Sequence, residues 1–404
     1  MKAGASRTCS GEAAGGADSS IRASTDRCTT QNYARHPVAF THGKGCRLWD
    51  EDGREYLDLF AGLAVSSLGH GHPALVDAIR RQAGLLIHTS NLFYHEPGAR
   101  LAERLVELTF ADRVFFCNSG AEANEAAIKM ARRASGGRYK IVATHGSFHG
   151  RTYGALAATG QPGLQEGFGP MLEGFVHVEP SSADAVAAVV GDDTAAVIVE
   201  PIIGEGGVIV PPPGYLAALR AICDRSGARL ILDEVQTGNG RTGALFAYEH
   251  EGIRPDIVTT AKGLGGGLPI GAVLAREDVA SAFVPGSHGT TFGANPVCCA
   301  AALAVLDELT SGGVTGNAAR VGDYFLARLR TALAGRDDVV EVRGKGLLIG
   351  VEMKRETRTI VRDLLERGVV ANSTAGTVLR LIPPLVLTEA EVDEGVAALV
   401  EVLR

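Results

Sequence analysis

The sequence predicts an α/β protein: a large part built on a mostly parallel sheet with helices on both faces, and a smaller α+β part after it. Three observations predict this. Short apolar runs alternate with amphipathic stretches between residues 113 and 260, the pattern of a parallel sheet with crossover helices. After Ala294 the pattern changes to longer helices followed by short strands. At 404 residues the chain is also too long for one simple core, which favours one large domain plus a smaller one.

Residues 1–30 are rich in Ala, Gly, Ser and Thr without apolar periodicity and are expected to be a disordered tail. They hold no hydrophobic stretch of the kind a secretory signal needs. The arginines there are offset by Glu12, Asp18 and Asp26, which speaks against an organelle transit peptide. Residues 31–65 are expected to pack with the small domain; 38–40 and 45–49 read as strands, with a turn at 50–53 before a third at 55–59.

The large domain is expected over residues 66–300. Helices at 73–82 and 97–109 each open with proline in the first turn, where its missing N–H costs nothing. Strands follow at 113–117, 140–143, 196–200 and 230–233, with helices at 121–133 and 213–225 between them. The small domain, residues 301–404, takes over within a helix at 297–309. A helix at 319–334, strands at 339–342 and 347–351, and a closing helix at 388–403 complete it. Val392, Val396, Leu399 and Leu403 fall on one face of that last helix.

Composition narrows the class. Hydrophobic content of 46% with 21% charged residues is ordinary for a globular chain. A net charge of -7 argues against nucleic acid as a main partner. No apolar stretch reaches the roughly 18 residues of a membrane span. Seven cysteines without metal-type spacing read as small buried hydrophobes, so neither a disulfide nor a metal is expected, and the cytoplasm is the expected compartment.

The chemistry centres on Asp233 and Lys262. Asp233 ends an apolar strand and Lys262 enters a glycine-rich turn after the next one; ligands of open α/β sheets sit at such strand ends. A lysine that holds an aldehyde as a Schiff base, with a carboxylate that keeps a ring nitrogen protonated, suits a pyridoxal phosphate site. Ser119 and Glu122 have capping-box spacing at a strand-to-helix turn, and Gly120 lets an anion approach the helix start. Phe148 and Arg151 follow another strand, suited to stacking on a ring and to gripping a carboxylate. Arg380 is a charge inside an apolar run and needs a counterion if buried; Glu205, in a glycine-flanked turn, is the expected partner. His288, Thr290 and Thr291 sit in another small-residue loop. Each feature alone also fits a plain capped helix, core ring, surface charge or turn.

Together they resemble the class III (ornithine/acetylornithine type) aminotransferases, on the type I pyridoxal phosphate-transferase fold, over residues 33–404. The resemblance implies roles position by position. Lys262 would be the Schiff-base lysine and proton carrier, Asp233 the partner of the pyridine nitrogen, and Gln236 the contact of the ring hydroxyl. Gly120 and Ala121 would hold the phosphate, with Ser119 beside them. Phe148 would cover the ring, with Val235 also among the cofactor contacts. Thr291 would reach the phosphate of the neighbouring subunit, which implies a homodimer with its sites at the interface. Tyr33, Arg151, Glu205 and Arg380 would serve the substrates. Glu205 would neutralise Arg380 while an ω-amine donor is bound and release it when glutamate brings its own carboxylate.

Residues 69–73, 90–93 and 148–151 resemble the branch that uses N-acetylornithine and 2-oxoglutarate, in arginine biosynthesis. Its products are N-acetylglutamate 5-semialdehyde and glutamate. Leu63 and His149 stand where ornithine-using members carry Tyr and Trp, which favours an acylated donor. Ile203 stands where the family usually has Gln. Ornithine, succinyl-diaminopimelate, succinylornithine and 4-aminobutyrate are the alternative donors. An aminomutase or racemase on the same fold is a second class, and a non-catalytic binding protein a third.

Overall fold

Residues 20–404 are described in this structure, a computed structural model. Of the expected tail, residues 1–19 lie outside the described residues. Beyond them the chain is not irregular throughout: Ile21–Cys28 is a helix whose start is capped by the Ser20 hydroxyl, which accepts from the Ala23 amide at 3.2 Å. None of its residues is buried, so a cap rather than an apolar face accounts for it. A composition rich in small polar residues hides such a signal.

Three antiparallel strands come first: β1 (Phe40–Lys44), β2 (Arg47–Asp50) and β3 (Glu55–Asp58). The large sheet holds β4 (Arg113–Cys117), β5 (Lys140–Thr144), β6 (Phe175–Val178), β7 (Thr194–Val199), β8 (Arg229–Asp233), β9 (Ile257–Thr260) and β10 (Gly271–Ala275). Its order is β4-β10-β9-β8-β7-β5-β6. Pairing is parallel from β9 to β6, and β10 runs antiparallel to both β9 and β4. The mostly parallel α/β sheet expected from the sequence is therefore present.

Strands buried on both faces explain why these segments read as unbroken apolar runs. Alternation survives inside them: Leu230 and Leu232 enter one apolar core while Ile231 enters the other, as a period of two demands. The Ala-rich face of the helix Gly120–Ala134, with Ala123, Ala126 and Ala127, closes the Ile231 side. Small side chains there let the helix sit close to the sheet.

The C-terminal part contributes β11 (Val339–Lys345), β12 (Leu348–Met353), β13 (Val369–Val370), β14 (Asn372–Thr374) and β15 (Val378–Leu381). Four of them form an antiparallel sheet in the order β11-β12-β15-β14. β13 instead pairs in parallel with β3, so both ends of the chain share one sheet. Leu57 and Leu59 pack in the same core as Val392, Val396, Leu399 and Leu403. Each fully buried side chain of this kind contributes about 1.5–3 kcal/mol.

The boundary expected between residues 300 and 301 falls inside the helix Pro296–Thr310. One face of that helix, with Cys299, Ala302 and Leu306, belongs to the large-sheet core. The other, with Ala301, Val305 and Leu309, belongs to the C-terminal core. The following helix starts at Val314, capped by Gly313 at φ 79°, five residues before the expected start. Gly316 lies inside its first turn, and glycine there masks a helix in sequence. Among the described residues no single helix is long and apolar enough to cross a membrane.

Candidate active site

β4, β5, β7, β8 and β9 all end at one edge of the large sheet, and the segments that follow them enclose a cavity of about 420 Å³. Asp233 closes β8 at the cavity floor and is 3% exposed. Its Oδ2 accepts from His149 Nδ1 and from Asn124 Nδ2, both at 2.7 Å, and its Oδ1 accepts from the Val235 amide at 3.0 Å. Asn124 is itself fixed, donating to the His149 carbonyl at 2.7 Å and accepting from the Thr259 hydroxyl at 2.7 Å. These donors hold one rotamer of the side chain. His149 Nε2 is buried without a partner. In the sequence His149 stands out only as a branch marker; its contact with Asp233 is seen only in the structure.

Lys262 lies beyond β9 and begins a short 3-10 turn, with φ at 43°. Left-handed backbone at a non-glycine residue costs on the order of 1–3 kcal/mol and is held by its surroundings. Burial pushes its ammonium down from the ordinary value, against the pull of Glu205. The free amine is thereby favoured more than in water.

At the opposite wall, the Ser119 hydroxyl accepts from the Glu122 amide at 3.2 Å. Glu122 does not close the expected reciprocal box on Ser119. Its Oε2 reaches one residue further back, to the Asn118 amide at 2.8 Å and to Asn118 Nδ2 at 2.7 Å. The amides of Gly120 and Ala121, first in the helix, have no intrahelical acceptor by geometry and line the cavity. A Cβ at Gly120 would come within 2.7 Å of the Val235 side chain, so only glycine keeps this approach open. Phe148 forms another wall, with the Arg151 guanidinium 5.6 Å from its ring centre. Glu125 anchors that loop, accepting from the Thr152 hydroxyl at 2.6 Å and the Gly154 amide at 2.8 Å.

Arg380 has a carboxylate partner: Nη1 lies 2.6 Å from Glu205 Oε1. The arginine is 1% exposed and Glu205 28%, so the pair bridges a buried cation to a cavity wall. Gln236 Oε1 accepts from the same Nη1 at 3.3 Å. The turn bearing Glu205 is gripped from the C-terminal sheet, with Arg343 donating to the Gly207 carbonyl at 2.6 Å and the Val208 carbonyl at 2.9 Å. Glu200 braces it from below, accepting from the Phe148 amide at 2.8 Å and the Gly204 amide at 2.9 Å. Burial, with the charge of Asp233 adding to it, pushes the Glu200 carboxyl up to about 7.

Burial alone would also raise Glu205, but the charge and hydrogen bond of Arg380 outweigh it and hold the carboxyl below its ordinary value of 4.5. A folded-state value below the unfolded one stabilises the protein above the unfolded value, and that stabilisation is lost as pH falls through the folded one. The wild-type melting temperature is therefore expected to fall more steeply on acidification below pH 4.5 than that of Glu205→Gln. Equal slopes in thermal melts across that range would contradict the pairing.

Three expected residues are not among the walls of this cavity within one protomer. Arg380 reaches it only through its bonds to Glu205 and Gln236, which do line it. Tyr33 is 68% exposed, with Arg35 lying 5.7 Å from its ring centre. Thr291 is exposed and absent from the walls; its neighbour Thr290, also absent from them, bonds the wall residue Asn118, accepting from its Nδ2 at 2.9 Å.

Comparison with known proteins adds the family. The family described as aminotransferase class-III matches residues 29–403. The chain is 51% identical to an acetylornithine aminotransferase of Methanothermobacter thermautotrophicus, over 92% of this chain and 95% of that one. It is 53% identical to the acetylornithine aminotransferase of Mycobacterium tuberculosis, over 92% and 93%. Among solved structures, the ornithine aminotransferase of Toxoplasma gondii superposes with a TM-score of 0.91 at 36% identity, covering 94% of this chain and 93% of that one. An acetylornithine aminotransferase from Elizabethkingia anophelis gives 0.84 at 32% identity, covering 94% and 96%.

Proposed function

The chain belongs to the class-III aminotransferases, which are pyridoxal phosphate-dependent enzymes, and from that premise we propose that it moves the terminal amine of N-acetylornithine to 2-oxoglutarate. The products are N-acetylglutamate 5-semialdehyde and glutamate, a step of arginine biosynthesis. The observation that carries the reading is the ion pair of buried Arg380 with Glu205, a wall residue of the cavity that also holds a lysine and a strand-end carboxylate.

The residues present fit the cofactor. An amine, a buried carboxylate, the apolar side chains of Phe148 and Val235, and a helix start open to an anion line one cavity. Lys262 would hold the aldehyde, Asp233 the ring nitrogen, Gln236 the ring hydroxyl, and the Gly120 and Ala121 amides the phosphate. When bound, the group supplies an electron-withdrawing ring that takes up charge from the substrate carbon. Lys262 Nζ moves the proton at that carbon, helped by the environment that lowers its basicity. Asp233, fixed by His149 and Asn124, presents its carboxyl group on the cavity floor.

Two substrates with different charges must use this one cavity in turn. The donor presents a cationic terminal amine and no carboxylate beside it, so Glu205 stays on Arg380. Glutamate presents an α-carboxylate next to its amine; Glu205 turns away and the guanidinium takes that carboxylate as a fork. Arg151 grips the carboxylate farther from the reacting amine. The active unit is a homodimer in the cytoplasm, with Thr291 of one subunit completing the phosphate site of the other.

The test is a panel of amine donors with 2-oxoglutarate, read as glutamate formed. N-acetylornithine is expected to give a kcat/KM at least about tenfold above ornithine, succinylornithine, succinyl-diaminopimelate and 4-aminobutyrate, the scale of one or two pocket contacts. A different donor in first place would reassign the substrate. No glutamate with any donor would remove the reaction class.

A further inference from the structure

We propose that Asn372 is a positioning residue whose neutral amide oxygen holds the Arg380 guanidinium in place without cancelling its charge, so that the charge is kept for a carboxylate entering the cavity. This rests on the exchange of Glu205 and substrate on Arg380 described above.

Asn372 on β14 is the direct cross-strand partner of Arg380 on β15. Its Oδ1 accepts from Arg380 Nε at 3.1 Å and from Nη2 at 2.7 Å. One edge of the guanidinium is thus occupied by an amide from the same sheet. Nη1 goes to Glu205 and Gln236, which come from elsewhere in the chain. The two sides differ in character: Asn372 is fixed by the strand ladder, whereas Glu205 projects from a turn and is 28% exposed.

The contrast in charge gives the arrangement its meaning. A guanidinium that is 1% exposed is most simply stabilised by a permanent carboxylate. At position 372 an aspartate would have the same shape and the same accepting oxygen. It would also neutralise Arg380 in every state of the enzyme, and with Glu205 nearby it would make this corner negative. An incoming dicarboxylate would then meet no net positive charge. Asparagine keeps the geometry through both half-reactions and leaves the neutralising to groups that can exchange.

The experiment compares Asn372→Asp with Asn372→Ala in the holoenzyme. It measures KM for 2-oxoglutarate and for the amine donor, and the Kd of glutarate, a dicarboxylate that cannot react, by calorimetry. Asn372→Asp is expected to raise the 2-oxoglutarate KM and the glutarate Kd by about 10- to 100-fold, the scale of a charged hydrogen bond. The donor KM is expected to change by less than about threefold, since the donor needs Arg380 neutralised and an added carboxylate keeps it so. Asn372→Ala, which removes the acceptor but adds no charge, is expected to raise the dicarboxylate constants less than Asn372→Asp. The reverse order, or equal changes for donor and dicarboxylate in the aspartate variant, would reduce Asn372 to a packing role and overturn the proposal. A wild-type enzyme that neither consumes 2-oxoglutarate nor binds glutarate would overturn the exchange itself before any variant is compared.

Discussion

Lys262→Ala is expected to abolish turnover and, in the same protein, the visible absorbance of the bound cofactor. Lys262 is the only lysine among the residues lining the cavity. On the proposed reading, alanine there removes both the covalent attachment and the group that carries the proton. The loss in kcat is expected to be at least ~10⁴-fold, the upper range for a positioned proton carrier. The amides of Gly120 and Ala121 remain, so residual cofactor should bind weakly and leave on dialysis. Folding is expected to be spared, because among the described residues the side chain has no hydrogen-bond partner on which the fold rests, and its ammonium is already disfavoured by burial. A visible band that survives the substitution would mean that the anchor is another amine.

Glu205→Ala is expected to separate the two half-reactions. It leaves a guanidinium that is 1% exposed with only the amide oxygens of Asn372 and Gln236. Truncating one member of a buried charge pair costs about 2–5 kcal/mol, so a state that relies on the pair should slow by ~30-fold or more. The donor half-reaction is that state, since its substrate brings no carboxylate to replace Glu205. The glutamate half-reaction supplies its own anion to Arg380 and should change by less than about threefold on the same account.

The sequence makes parts of this site readable for identifiable reasons. Asp233 stands out because an acid ends an apolar strand, and Arg380 because a cation inside an apolar run demands a partner. Buried parallel strands such as β7 and β8 read as apolar runs. β10 is harder to read, because Gly271–Ala275 is short, opens with glycine and has two alanines among its five residues. The sequence does not predict the helix Arg358–Glu366 either; its N-cap residue, Thr357, makes no side-chain cap bond. Contacts across the fold are the least readable. His149 and Asn124 meet Asp233 from 84 and 109 residues away, and nothing local to either announces it. Asn372 is eight residues from Arg380 in sequence, yet its role depends on strand register. Tyr33 and Thr291 rested on resemblance, and neither lies at the cavity of its own protomer.

The central claim is that one arginine serves two substrates by exchanging its anion, and single-turnover kinetics of Glu205→Ala test it most directly. The rate with N-acetylornithine and the rate with glutamate are measured separately on the same cofactor-loaded protein. The account expects the ratio of donor to glutamate rates to fall by ~10-fold or more relative to wild type. An unchanged ratio, with both rates lowered alike, would contradict it.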